Sequence, residues 1–264
     1  MTGSLALPRE IAPGVHWLGA CLQVAYRGTT LHGYNSVYLV AGEECSMLVE
    51  AGHPQDAQTI EAQIETLLAA GVPPLRYLFT THTEAPHAGA VGRLLARYPD
   101  LQACGDVEDL HLVFPAYADR LVALEPGETI DLGMRRLETV EAVFRDMIRT
   151  RWLFDRATGV LFAGDGFAYS HYHEQGQCGR MAEEVPELDV PEMTALFAEL
   201  AFYWTRFVDI EPYIARLDEL IFDELAVRLL APTHGLPITD PATTLARVRQ
   251  GLRWGSAGSR GTVS

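Results

Sequence analysis

The 264-residue sequence has only four cysteines, Cys21, Cys45, Cys104 and Cys178, and no Cys-x-x-Cys pair. Scattered in this way they offer no disulfide framework and read as reduced thiols in a cytoplasmic protein. No apolar run reaches the roughly 18 residues that a membrane span needs. Residues Met1 to Pro8 lack both a basic segment and a long apolar one, so no secretory signal is expected. Basic residues are few: Lys and Arg number 20 against 35 Asp and Glu, a formal net charge of −15. Binding a nucleic-acid backbone needs clustered cations, so a nucleic-acid partner is not expected. There is no internal repeat and no low-complexity block.

What is present suits a large buried core. Hydrophobic residues make up 48% of the chain and mean hydropathy is close to zero, +0.04, at a length that buries most apolar surface on folding. Runs rich in Val, Leu and Tyr predict strands at Val15–Leu18, Ser36–Val40 and Ser46–Glu50. Helical spacing over Asp56–Ala70 stops at Gly71, before Pro73-Pro74. A buried strand over Leu75–Phe79 and an amphipathic helix over Ala88–Tyr98 follow. Short strands are expected near 101–103, 120–123, 128–130, 136–140, 149–154 and 160–162. Asp155 to Gly159 reads as the hairpin turn between the last two. The second half reads as helices over Val190–Thr205, Glu211–Asp223 and Pro241–Trp254, and Gly255–Ser264, rich in Gly and Ser, as a disordered tail. Pattern alone gives an α/β or α+β class.

The chemistry concentrates in Phe79-Thr80-Thr81-His82-Thr83-Glu84-Ala85-Pro86-His87-Ala88-Gly89. Between a buried strand and an amphipathic helix, this stretch puts His82, Glu84 and His87 in one loop. Imidazole and carboxylate together suit borderline-hard first-row metals, iron and manganese as well as zinc. The plain alternative is a polar surface loop that happens to hold two histidines.

This loop resembles the metal loop of the metallo-β-lactamase superfamily, and more closely that of its flavodiiron branch. That branch carries His-x-Glu-x-Asp-His, then Ala-Gly and a helix ending near Tyr-Pro. Ala88-Gly89-Ala90 through Arg97-Tyr98-Pro99 fits, while Pro86 stands in place of the Asp. The likeness runs from about Ile11 to Trp254. Arg27-Gly28-Thr29-Thr30 and Tyr34-Asn35-Ser36 resemble the early strand region. Leu161-Phe162-Ala163-Gly164-Asp165 and Ala231-Pro232-Thr233-His234-Gly235 resemble the later metal loops. The resemblance implies an αββα sandwich, two sheets face to face with helices outside, in one domain over residues 1–254.

It also implies a ligand set. His82 and Glu84 would hold one metal, His87 and His234 a second, and Asp165 would bridge them. The family places a further histidine about nineteen positions before the bridging aspartate, and here Asp146 occupies that place. A slip of a few residues would point to Glu141 instead, and Asp146 would then pair with Arg145 or Arg149. An aspartate for a histidine hardens the first position, favouring iron or manganese over zinc. Pro86 has no donor, so the second metal would have three protein ligands and open positions. A single-metal site is the alternative.

His171 and His173, flanking Tyr172, are expected near the pocket as outer ligand partners or proton-transfer groups, with exposed loop histidines as the alternative. His53 follows Glu50-Ala51-Gly52, where the superfamily has an acidic turn. His16, His32 and His111 read as surface or core residues, and Tyr203 and Trp204 as core ahead of pocket.

Three functions compete. The first is a non-haem protein with two iron ions that binds or activates dioxygen. The flavodiiron reductases also need a flavin-bearing flavodoxin domain, which is not expected after Trp254. Electrons would then come from a separate reductase or from the substrate. The second is a metallohydrolase attacking an ester, thioester, lactone or phosphodiester with a metal-bound hydroxide. Glu84 and Pro86 count against it. The third is a non-catalytic binding protein on a decayed site. The family resemblance makes a homodimer plausible; a membrane partner is not expected.

Overall fold

The computed structural model describes residues 5–26, 28–166, 173–185 and 190–257. Its strands are β1 Arg9–Ala12, β2 Val15–Leu18, β3 Cys21–Tyr26, β4 Thr29–Tyr34, β5 Val37–Ala41, β6 Ser46–Val49, β7 Leu75–Thr80, β8 Gln102–Gly105, β9 Leu121–Ala123, β10 Thr129–Asp131, β11 Arg136–Glu141, β12 Arg151–Asp155, β13 Val160–Gly164 and β14 Leu229–Pro232. The helices are α1 Ala57–Ala69, α2 Ala85–Ala88, α3 Val91–Arg97, α4 Leu110–Val113, α5 Val190–Ala201, α6 Glu211–Asp218 and α7 Pro241–Ser256.

The strands form a seven-stranded sheet, β1-β2-β5-β6-β7-β8-β9, and a five-stranded sheet, β10-β11-β12-β13-β14, with β3–β4 a separate hairpin. The first sheet is antiparallel up to β6 and parallel from β6 to β9. The second is antiparallel except for its last pair, β13–β14. One apolar cluster joins the facing sheets: Trp17, Tyr38 and Phe79 from the first meet Trp152, Phe154 and Phe162 from the second. A second cluster lies on the other face of the first sheet, where Leu39, Leu48 and Leu78 pack on Ile60 and Ile64 of α1 and Leu94 of α3. Fully burying each such side chain contributes about 1.5–3 kcal/mol.

Every residue of β13 is buried, which requires cover on both faces. Ala198, Leu217 and Val248 of α5, α6 and α7 belong to the same cluster as the sheets. α5 and α7 approach closely because Gly251 has no side chain: a Cβ there would lie 2.5 Å from Thr194 Cβ. Arg135 crosses between the sheets. It ion-pairs with fully buried Asp155 and donates to Ala41 O at 2.8 Å and Pro13 O at 3.1 Å.

Several expected boundaries moved. The helix expected over Ala88–Tyr98 is two pieces, broken at Gly89-Ala90 so that His87 can sit in a turn of its own. The 190–205 helix ends at Ala201 and gives way to a 3-10 turn, Tyr203–Phe207. Trp204 stacks on Phe144, as expected for a core residue, whereas Tyr203 is 63% exposed and belongs to neither core nor pocket. α7 continues past Trp254 to Ser256, into the segment read as tail; residues 258–264 of that segment lie outside the described residues. No described helix is long and apolar enough to cross a membrane.

Candidate metal centre

Parallel pairing brings the chemistry to one end of the sandwich. β6 and β7 are parallel neighbours, so Glu50 and Thr81-His82 leave the first sheet side by side. β13 and β14 are parallel neighbours, so Asp165 and His234 leave the second sheet side by side. The two groups meet over the core, and Asp146, in the loop between β11 and β12, closes the ring.

The local geometry of each segment has a cause. α2 starts with Glu84 as its cap residue and has Pro86 in its first turn, where a missing N–H leaves no backbone bond unmade. That places His87 one turn inward, fully buried. Gly164 has φ +54°, and a Cβ there would lie 2.5 Å from Thr81 Oγ1. Only glycine lets β13 turn against the Thr81 loop and carry Asp165 inward.

The His82 and His87 rings are tilted 40° to each other with centroids 3.7 Å apart, and the His87 and His234 rings are 5.6 Å apart. His82 Nε2 lies 3.1 Å from Asp146 Oδ2. Asp165 Oδ1 lies 3.0 Å from His87 Nε2 and 3.3 Å from His234 Nε2. Ligand atoms of His82, Glu84, Asp146 and Asp165 all lie within 4.8 Å of one another, as do those of His82, His87 and Asp165. Asp165 therefore belongs to both groups. Thr150 holds the other Asp146 oxygen at 3.2 Å. Glu141 is exposed and pairs with Arg145, while Arg149 is taken up by Asp106, Glu108 and Asp109. Neither arginine competes for Asp146.

These contacts are close but not aligned as hydrogen bonds. His82 Nε2, His87 Nε2 and Asp165 Oδ1 are buried with no hydrogen-bond partner. Two donors about 2.1 Å from one cation at right angles would themselves be about 3.0 Å apart. Buried polar atoms facing one another at that spacing, with no bond between them, fit a shared cation.

The outer partners are also in place. Glu50 Oε1 lies 3.0 Å from His87 Nδ1 and accepts from Thr81 Oγ1 at 2.6 Å and Thr233 Oγ1 at 3.2 Å. This carboxylate–imidazole pair fixes the His87 ring with Nε2 turned toward Asp165. His234 Nδ1 lies 3.3 Å from Tyr34 O. Burial opposes charging His87, yet Asp165 and Glu50 raise it well above its ordinary value. Burial lowers His234. Burial works against ionised Asp165, but His234 and His87 hold it well below the usual carboxylate range.

Sequence reasoning gave Glu50 no role, because its partners come from three distant segments. Its one local signal is an acidic residue ending a strand ahead of Gly52. His53 caps the turn before α1 through Gln55 N–H at 3.2 Å. His171 lies outside the described residues. His173 is drawn to a different cluster from the six: its backbone pairs with that of His32, which turns it toward Cys21 and Cys178. Burial, with His32 nearby, pushes its imidazole down to about 4.

Comparison with known proteins agrees with this architecture. The metallo-β-lactamase superfamily model matches residues 31–148. The rubredoxin oxygen:oxidoreductase of Desulfovibrio gigas superposes with a TM-score of 0.75 over 94% of this chain and 61% of its own, at 17% identity. Residues 31–148 are thus similar to a metallo-β-lactamase domain. By sequence, the chain is similar to the coenzyme F420H2 oxidase of Methanocaldococcus jannaschii, 27% identical over 88% of this chain and 57% of the relative. It is also similar to the nitric oxide reductase of Moorella thermoacetica, 24% identical over 88% of this chain and 58% of the relative. The chain thus spans under two thirds of the length of these relatives. Its structural neighbours include flavodiiron proteins, such as that of Giardia intestinalis, with a TM-score of 0.74.

Proposed function

We propose that the chain holds two iron ions and binds or reduces dioxygen or nitric oxide. In this reading His82, Glu84 and Asp146 hold one ion, His87 and His234 the other, and Asp165 both. The observation that carries it is Asp165 Oδ1 standing 3.0 Å from His87 and 3.3 Å from His234 while sharing a second group with His82, Glu84 and Asp146. Three carboxylates and three imidazoles form a donor set harder than a zinc hydrolase's, and favour iron or manganese. Relatives named for oxidase and nitric oxide reductase activity support the same direction.

Bound there, the ions would supply one-electron redox chemistry and open coordination positions. The chain's own residues set the frame. Glu50 fixes the face of His87, Gly164 turns Asp165 inward, and Pro86 leaves the His87 side without a further ligand. A separate reductase, or the substrate itself, supplies the electrons.

The test is metal content and gas consumption together. Protein from iron-replete cells, reloaded anaerobically with ferrous iron and reduced chemically, should hold about two irons and consume dioxygen or nitric oxide. Stoichiometric zinc supporting ester or phosphodiester hydrolysis, with the iron form inert, would replace this reading with the hydrolase.

A further inference from the structure

Cys21, His32, His173 and Cys178 come together away from the six residues above, on two segments that the sequence places far apart. Cys21 and His32 occupy the two strands of the β3–β4 hairpin. His173 and Cys178 lie on the segment after β13, with the backbones of His32 and His173 bonded to each other in both directions at 2.9 Å. Cys21 Sγ lies 3.3 Å from His32 Nδ1, 3.8 Å from His173 Nε2 and 3.3 Å from Cys178 Sγ. Cys178 Sγ lies 3.6 Å from His32 Nδ1. All four ligand atoms fall within 4.8 Å of one another, and both histidines are buried.

We propose that these four side chains form a second metal site, a tetrahedral Cys2His2 zinc site that is structural. Zn–S near 2.3 Å and Zn–N near 2.05 Å at tetrahedral angles require S···S of about 3.8 Å and S···N of about 3.6 Å. The observed edges scatter around those values, within half an ångström. Two thiolates with two imidazoles select zinc, whereas the first centre, with carboxylates and no cysteine, selects harder ions. The chain thus sorts two metals by donor softness. Four protein donors leave no open position, as structural zinc sites require.

The site has a mechanical purpose. The hairpin belongs to neither sheet, and a free two-stranded hairpin is marginal in water. Zinc would pin it to the segment that follows Asp165. Next to the site, Tyr34 stacks on His173 with centroids 5.5 Å apart, its hydroxyl accepts from Gly179 N–H at 2.7 Å, and its carbonyl faces His234 Nδ1. The strand that steadies His234 is therefore the strand the zinc would hold.

The experiment uses the full chain, purified with reductant. Elemental analysis after exposure to zinc and iron should find about one zinc per chain beyond the iron. In the Cys21→Ser/Cys178→Ser double variant zinc should fall at least about tenfold while iron is kept. A readout that needs no variant is cobalt added to the wild-type protein. Thiolate-to-cobalt charge-transfer absorption with intense tetrahedral ligand-field bands should develop, saturating at one equivalent and displaced by zinc. Three results overturn the proposal: no zinc bound by protein whose thiols titrate as free, zinc unchanged in the double variant, or cobalt bound without thiolate absorption. Recovery of a Cys21–Cys178 disulfide under reducing conditions, with no zinc, overturns it as well.

Discussion

Replacing Glu50 by Gln asks whether charge, rather than shape, orients His87. Glu50 is 1% exposed and holds four groups: Thr81 N–H, the Thr81 and Thr233 hydroxyls, and His87 Nδ1. It does so from the left-handed region, φ +67°, which costs a non-glycine residue about 1–2 kcal/mol. Glu50→Gln keeps that backbone and that volume. With the amide oxygen in the place of Oε1 it can still accept from His87 Nδ1 and from both hydroxyls, while the amide nitrogen faces Thr81 N–H, which loses its acceptor. What disappears is that one backbone contact and the negative charge behind the imidazole. Losing such an outer partner costs about 10–100-fold in metal affinity, equal to about 1.4–2.7 kcal/mol. Competitive titration against a chromophoric chelator reads this directly, and the loss should fall on one of the two bound ions. Glu50→Ala is the contrast: it leaves buried donors without acceptors, at about 1–3 kcal/mol each, and should lower the urea midpoint as well. Wild-type affinity for both ions in a well-folded Glu50→Gln would refute the reasoning, because packing alone would then orient His87.

Asp146→Ala should weaken the ion held with His82 and Glu84 by more than the 10–100-fold of an outer partner, while Glu141→Ala, altering an exposed pair with Arg145, should not; equal metal content in both variants would remove Asp146 from the ligand set. Pro86→Asp adds a donor beside His87 and should tighten the second ion in the same titration while slowing gas consumption, since a further ligand closes an open position. Asp155→Ala strands the buried Arg135 guanidinium and should cost about 3–5 kcal/mol in urea unfolding, with metal stoichiometry unchanged; a loss under about 1 kcal/mol would mean that the Pro13 and Ala41 carbonyls satisfy Arg135 by themselves.

The sequence was most legible where one element decides the outcome. β7 and the loop after it follow from an apolar run and three donor side chains, and α1 stops at Gly71, whose φ is +101°. The convergence of His82, Glu84, His87, Asp146, Asp165 and His234 came through the family resemblance, since no local pattern ties residue 82 to residue 234. What stayed hidden depends on tertiary pairing. The β3–β4 hairpin lacks a strong alternation and lies outside both sheets, and β14 is four residues long. Cys21 and His173 are 152 positions apart, so four thiols without a Cys-x-x-Cys pair looked unremarkable. His173 was expected in the pocket because it follows Asp165 closely, but its backbone bridge to His32 carries it elsewhere.

The donors of the first centre come from both sheets, the earliest at His82 and the last at His234, just after the final strand. A chain leaving the ribosome at about 5–20 residues per second presents the last donor roughly 8–30 seconds after the first. Until β14 has paired with β13, only part of the ligand set exists. Metal capture is therefore an event of the finished sandwich, not of the growing chain. In a metal-poor cell the species that accumulates should be a folded, metal-free protein, and the supply of metal, not the rate of translation, would set how much of it is loaded.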